Sequence, residues 1–311
     1  GKTTLIQSLN PDFVINLARE STFLDYSSDP EQLEREIAAK NPQSVFIDEV
    51  QRLPSLLNTM QAIIDERKGS KNLKPIRFFL TGSSARKLKR GKANLLPGRV
   101  LTYFLGPLCA AELDYRVDTE QALSKGLLPE PYFTQDQSAA EKLLSSYSGS
   151  YLKEEIQAEA LIRNIEGFSR FLAAAAQSSG QYLDLSKLAR KAKIHRSSAI
   201  GHFEILEDTL IAHRCLAYPD IEGADLIKHP RYFFFDPGVL NGLLGNFKPS
   251  SDRIGNLFEH LFFSQLKASA FARDEEISIW NFRTRGHLEV DFIVQWRGQT
   301  WAIEIKAHPS P

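Results

Sequence analysis

The sequence predicts an α/β protein: a parallel sheet core first, then helices, then a smaller α/β region at the C-terminus. Three observations carry this. Apolar runs alternate with amphipathic stretches as far as Phe104, and strands that alternate with helices form parallel sheets. One of those runs, Ser44-Val45-Phe46-Ile47, ends in two carboxylates, Asp48-Glu49. Near the end, His287–Val294 and Trp301–Lys306 have strand composition and flank Arg297-Gly298, the mark of a hairpin.

The chain opens on Gly1-Lys2-Thr3-Thr4, the end of the phosphate-loop pattern G-x-x-x-x-G-K-[ST]. Leu5–Leu9 continues as a helix whose first amides and dipole would meet phosphate. In that pattern Lys2 reaches the β- and γ-phosphates of ATP and the Thr3 hydroxyl ligates Mg²⁺. The chain begins at the second glycine of the pattern, so the preceding strand and loop are expected outside this sequence, which would weaken ATP binding by the fragment.

Phe13–Leu17 reads as a strand and Pro30–Lys40 as an amphipathic helix. Ser44–Asp48 follows a Pro-containing loop and reads as a buried strand, with Asp48 and Glu49 at its C-terminal edge. Open α/β sheets bind ligands at that edge, and a buried carboxylate there needs a partner such as nucleotide-bound Mg²⁺. Leu56–Arg67 is a further helix. Arg77–Leu80 repeats the buried strand and ends in Thr81-Gly82-Ser83-Ser84, whose hydroxyls can hold an attacking water or sense a γ-phosphate. A fourth strand, Arg99–Phe104, is expected after Pro97-Gly98. The basic run Arg86–Lys92 reads as a solvated helix face.

From Ala111 the alternation stops. Leu127-Leu128-Pro129-Glu130-Pro131 is a rigid break, Tyr151–Ile156 starts a longer helix, and the alanine-rich Phe168–Ser179 is a helix ended by Gly180. Leu183–Asp208 has the pattern of a helix-turn-helix, with Leu185, Leu188, Ala189 and Ala192 on one face and Ile200, Phe203, Ile205 and Leu206 on the next. Leu210–Ala217 and Arg231–Phe235 then read as two strands, so the segment resembles a winged helix. Lys187, Arg190, Lys191, Lys193 and Arg196 form a basic rim suited to phosphate contacts. Glu204, Glu207 and Asp208 oppose that reading, which leaves His195–His202 as the part able to read bases. Packing as a lid on the first domain is the alternative.

A two- or four-residue loop at Arg297-Gly298 sets Asp291 opposite Glu304, with Lys306 on the same face as Glu304. Facing carboxylates need a positive partner. A divalent metal bridging Asp291 and Glu304 beside Lys306 would supply one and would polarise phosphate.

Composition excludes several classes. The 311 residues carry 38 Lys and Arg against 38 Asp and Glu, so no global charge steers the chain to nucleic acid. Cys109 and Cys215 fit no metal-ligand spacing. No apolar run could span a bilayer and none reads as a signal peptide. The expectation is a soluble, cytoplasmic protein of several domains.

Gly1-Lys2-Thr3, Phe46-Ile47-Asp48-Glu49, Leu80–Ser84 and Pro97-Gly98-Arg99 resemble the Walker A, Walker B, sensor and arginine elements of an AAA-type ATPase. The resemblance implies a P-loop NTPase core, with Asp48 on Mg²⁺ through water, Glu49 orienting the attacking water, Ser83 as sensor and Arg99 contacting phosphate in cis or in a neighbouring subunit. Asp291…Glu304-x-Lys306 resembles the PD-(D/E)xK nuclease fold, in which a preceding helix often adds a glutamate; Glu259 is placed to do so. The order of parts resembles a group of bacterial and archaeal ATP-binding proteins with a nuclease-like C-terminal domain. It implies an ATPase domain over 1–112, a helical linker or lid over 113–180, a winged helix over 181–240 and a PD-(D/E)xK-like domain over 241–311, part of which is expected beyond Pro311. The function expected is Mg²⁺-dependent ATP hydrolysis moving the C-terminal parts. An ATP-gated DNA endonuclease and a non-catalytic ATP switch that grips DNA or protein are the alternatives. The partners compatible with it are ATP, DNA and a second copy of the chain, with no membrane.

Overall fold

The computed structural model describes residues 1–69, 73–82, 100–151, 162, 164–219, 226–286 and 288–307. The chain divides into two compact units, Gly1–Thr102 and Tyr103–Pro311.

In the first unit, helix α1 (Lys2–Gln7) precedes strand β1 (Phe13–Asn16). Helices α2 (Glu20–Ser28) and α3 (Gln32–Lys40) lead to β2 (Ser44–Asp48). Helix α4 (Leu56–Gly69) leads to β3 (Arg77–Leu80). The strands lie in the order β1-β2-β3 and both pairs are parallel, consistent with the P-loop fold. Val45, Phe46 and Ile47 are all fully buried. Successive strand residues face opposite ways, so β2 is covered on both faces, as the centre of a parallel sheet requires. Leu33 and Ile37 of α3 and Met60 and Ile63 of α4 share its core. Asn41 ends α3 in the left-handed conformation, donating its N–H to Ile37 O at 2.9 Å.

The fourth strand expected at Arg99–Phe104 is not formed. Arg99 lies outside the described residues, and residues 100–104 join no ladder. Leu101 and Tyr103 are mostly exposed, while Phe104 packs on Phe271 with ring centroids 5.4 Å apart. An apolar run of this length serves as well in side-chain packing as in a sheet.

The second unit begins with short helices, α5 (Thr119–Lys125), α6 (Pro129–Phe133) and α7 (Gln137–Ser146). The alanine-rich α8 (Ile165–Gln177) packs on the pair α9 (Leu185–Ala192) and α10 (Arg196–Asp208). Asp118, Asp136, Asn164 and Asp184 cap the N-termini of α5, α7, α8 and α9 by accepting backbone N–H groups. Tyr151 closes the turn after α7; the rest of the helix start expected at Tyr151–Ile156 lies outside the described residues.

Strands β4 (Ala212–Ala217) and β5 (Arg231–Phe234) form an antiparallel pair. After α11 (Pro237–Leu244) and the long α12 (Ile254–Arg273) come β6 (Ile277–Arg283), β7 (Glu289–Trp296) and β8 (Gln299–Ile303). All five strands share one sheet in the order β5-β4-β6-β7-β8, because β4 pairs in parallel with β6. The pair expected within 181–240 is thus hydrogen-bonded to the strands expected within 241–311. Phe233, Phe263 and Phe292 pack beneath this sheet, and Phe203 stacks on Tyr232 to join the helix pair to β5.

A buried carboxylate ties α5 to α11. Asp236 is fully buried and accepts the N–H groups of Leu127 at 2.6 Å and Val239 at 3.0 Å. Burial pushes its carboxyl up to about 6 against those donors. Gly126 passes over it at φ +71° and ψ −161°, a region only glycine enters readily, and a Cβ there would stand 2.0 Å from Asp236 Oδ1. We expect Gly126→Ala to lower the unfolding free energy by more than about 2 kcal/mol in urea titrations.

Candidate active site

β2 delivers Asp48 to the C-terminal edge of the parallel sheet, where the residue is 5% exposed. Thr3 Oγ1 stands 3.1 Å from each carboxylate oxygen, and Thr81 Oγ1 donates to Oδ1. Thr81 continues the β2–β3 ladder, its N–H donating to Ile47 O at 3.1 Å, so its hydroxyl is fixed by the sheet. Hydroxyls from the start of α1 and the end of β3 therefore meet one carboxylate from the central strand.

Glu49 leaves the strand in the left-handed conformation, at φ 59°. That turn opens a 3₁₀ segment, Val50–Arg52, and the N–H of Val50 donates to Thr81 O at 3.0 Å. Gln51 Nε2 donates to Glu49 Oε2, which fixes the direction of the glutamate. A Cβ on Gly82 would stand 2.6 Å from the Gln51 amide oxygen, so only glycine leaves that side chain its place. Lys2 Nζ donates to Gly82 O at 2.6 Å. Arg52 closes the other side of the turn, donating to Leu17 O and Ala18 O and pairing with Glu20 at 2.7 Å.

Gly1, Lys2, Thr3, Thr4, Asp48 and Glu49 all belong to this edge of the first unit. Gly1 caps α1, whose first turn holds Lys2, Thr3 and Thr4. Ser83, Arg99 and the basic run Arg86–Lys92 lie outside the described residues. The resemblance implies Ser83 as the sensor, whereas the direct bond of Thr81 to Asp48 gives Thr81 a place at the centre. Sequence reasoning assigned Gln51 no role, although a polar side chain two residues after Asp48-Glu49 was the available signal.

The second constellation lies in the other unit. β7 and β8 turn through Arg297 and Gly298, both at positive φ, and Trp296 pairs with Gln299. That two-residue turn matches the twist of an antiparallel pair. The register Phe292↔Ile303 carries Asp291 and Glu304 to facing positions one step beyond the ladder. Asp291 Oδ2 accepts the N–H of Ile305 at 2.7 Å, and Lys306 Nζ lies 2.5 Å from Glu304 Oε1.

Glu259, on α12, is held by Arg231. The Arg231 guanidinium is buried, donates to Gly180 O at 2.6 Å and to Asp291 O at 3.3 Å, and lies against the rings of Tyr182, Phe233 and Phe292. Burial raises the pKa of Glu259 despite Arg231, and burial also raises that of Asp291. Glu289 pairs with Arg283 at 3.5 Å. Lys306 thus stands at one carboxylate and a backbone N–H at the other, while Arg231 reaches the Asp291 carbonyl. Among the described residues no group of three or more His, Cys, Asp or Glu could hold a metal ion. His287 lies outside them.

Residues 1–114 match a family model described as an AAA domain. The N-terminal segment is thus similar to an AAA domain. Residues 116–250 match a domain of unknown function (DUF8612), and residues 254–311 match another (DUF4143). No curated protein and no solved structure matches the chain. The AAA match covers every element that builds the Asp48 edge. No helix among the described residues is long and apolar enough to cross a membrane.

The Arg231–Glu259 pair has a measurable signature. Arg231→Met leaves Glu259 without its cation and should cost about 3 kcal/mol or more of unfolding free energy. Adding Glu259→Gln should recover most of that loss in urea titrations, because the stranded charge is then gone.

Proposed function

We propose that the chain hydrolyses ATP with Mg²⁺ at the Asp48 edge of the first unit. The observation that carries this reading is the convergence of Thr3 and Thr81 on the Asp48 carboxylate, with Glu49 turned aside at the next residue. A hydroxyl and a carboxylate are hard oxygen donors, and Mg²⁺ takes one or two such protein ligands beside substrate phosphates. Thr3 and Asp48 would hold the ion, which when bound neutralises phosphate charge as the terminal phosphoryl group leaves.

The chain's own groups supply the rest. Lys2, whose ammonium rests on a single carbonyl, exchanges Gly82 O for a phosphate oxygen. Glu49 accepts the hydrogen bond of the attacking water and draws its proton towards Oε, the oxygen pair that Gln51 orients. Thr81 keeps Asp48 in place while Thr3 turns towards the ligand. Ser83 as phosphate sensor and Arg99 as phosphate contact complete the reading by their resemblance alone.

At the C-terminus the carboxylates have partners within the chain itself. Glu259, Glu289 and Glu304 each have a cation of the chain, and Asp291 has a backbone donor. This favours recognition over cleavage for the β7–β8 site, with Asp291, Glu304 and Lys306 as structural charges.

Two measurements test these readings. Glu49→Gln should retain binding of a fluorescent ATP analogue and lower phosphate release by about 10²-fold or more; wild-type turnover in that variant would remove Glu49 from the chemistry. Plasmid DNA incubated with Mg²⁺ or Mn²⁺, with and without ATP, should show no cleavage that Lys306→Ala abolishes. Cleavage lost in that variant would restore the nuclease reading.

A further inference from the structure

We infer that the α9–α10 pair is a docking face for duplex DNA, with the first two turns of α10 entering the major groove and α9 lying along the backbone. Lys187, Arg190 and Lys191 project from the outer side of α9, because Leu188, Ala189 and Ala192 occupy its buried side. Lys193 follows in the left-handed conformation at φ 53°, which turns the chain between the helices and leaves its side chain exposed. Arg196 opens α10 and is also exposed. None of these five cations makes a salt bridge among the described residues. A protein whose charges balance overall has here a local concentration of exposed positive charge, the footprint of phosphate binding.

The surface between those cations is shaped for close approach. Ser197, Ile200 and Gly201 share one face of α10, and nothing lies within 4 Å of a Cβ placed on Gly201. Ser197 and Ile200 are exposed, Ile200 by 40%. Small side chains let a helix axis sink into a groove about as wide as a helix, where a hydroxyl can meet base edges and an aliphatic group a thymine methyl. A face meant for an acidic protein partner would gain nothing from that narrow, small-residue ridge.

The acidic residues that argued against DNA in the sequence are partly accounted for. Glu207 turns to the β4–β5 pair, where Arg214 Nε lies 3.3 Å from it and Tyr232 donates its hydroxyl at 3.2 Å. Asp184 accepts the N–H of Lys187 as the cap of α9. Glu204 and Asp208 are exposed on the C-terminal half of α10, beyond the two turns assigned to the groove. His202, which the sequence grouped with the base-reading half, faces inward: it packs on Phe168 and Phe171, and burial lowers its pKa.

The test is fluorescence anisotropy of a labelled duplex of about two helical turns with the full chain. Binding should weaken as salt rises, with a slope of about −0.9 per phosphate neutralised. Arg190→Glu with Lys191→Glu should weaken it at least about tenfold and make the slope shallower by about two. Ser197→Glu should also lose affinity, because it sets a carboxylate in the groove. Thermal melting and ATP turnover should be unchanged in both variants. Absence of binding by the wild type at about 50 mM salt would overturn the inference. So would equal affinity for a single strand of the same length, or wild-type affinity in the charge-reversed variant.

Discussion

A carboxylate at the mouth of a buried parallel sheet is costly unless donors surround it, and the first unit is arranged around meeting that constraint at Asp48. The central strand is apolar through Val45, Phe46 and Ile47, so the charge emerges where the sheet ends. The donors come from the two segments that reach that end, Thr3 from α1 and Thr81 from beyond β3. Once Asp48 is fixed, the chain must turn away sharply, and it does so with Glu49 at positive φ. The same geometry that satisfies the aspartate therefore presents the glutamate, and Gln51 keeps it from wandering.

The second unit meets the same kind of constraint with a different device. Four carboxylates, on α12, β7 and the segment after β8, gather near one edge of the sheet. Their compensation comes from Arg231, Arg283 and Lys306. Arg231 is the least replaceable, since its guanidinium faces a carboxylate, two backbone carbonyls and three aromatic rings. A lysine could not present donors in so many directions from one fixed plane.

The readable features were those set by local rules. The apolar run Val45-Phe46-Ile47 lies between a Pro-containing loop and two carboxylates, and that framing made β2 and the position of Asp48 readable. Arg297-Gly298 dictates a two-residue turn, and the register that faces Asp291 with Glu304 follows by counting. What could not be read depends on distant partners. Arg231 lies 28 positions from Glu259 and 60 from Asp291, and no periodicity marks it as their counter-charge. The inward turn of His202 is decided by Phe168 and Phe171 on another helix. Residues 100–104 have strand composition, but nothing in a sequence tells an apolar run that pairs from one that packs.

The parallel pairing of β4 with β6 has a consequence for how the second unit is made. Cys215 and Ile279, neighbours in the finished sheet, stand 64 residues apart in sequence. During synthesis β4 and β5 can pair as soon as both have emerged, yet one rim of β4 keeps its amides and carbonyls bare until β6 arrives. Such a rim templates association with any other extended chain. The burden of reaching the native state falls on α12, whose length must cross the unit and bring the last three strands back before a neighbouring nascent chain fills the gap.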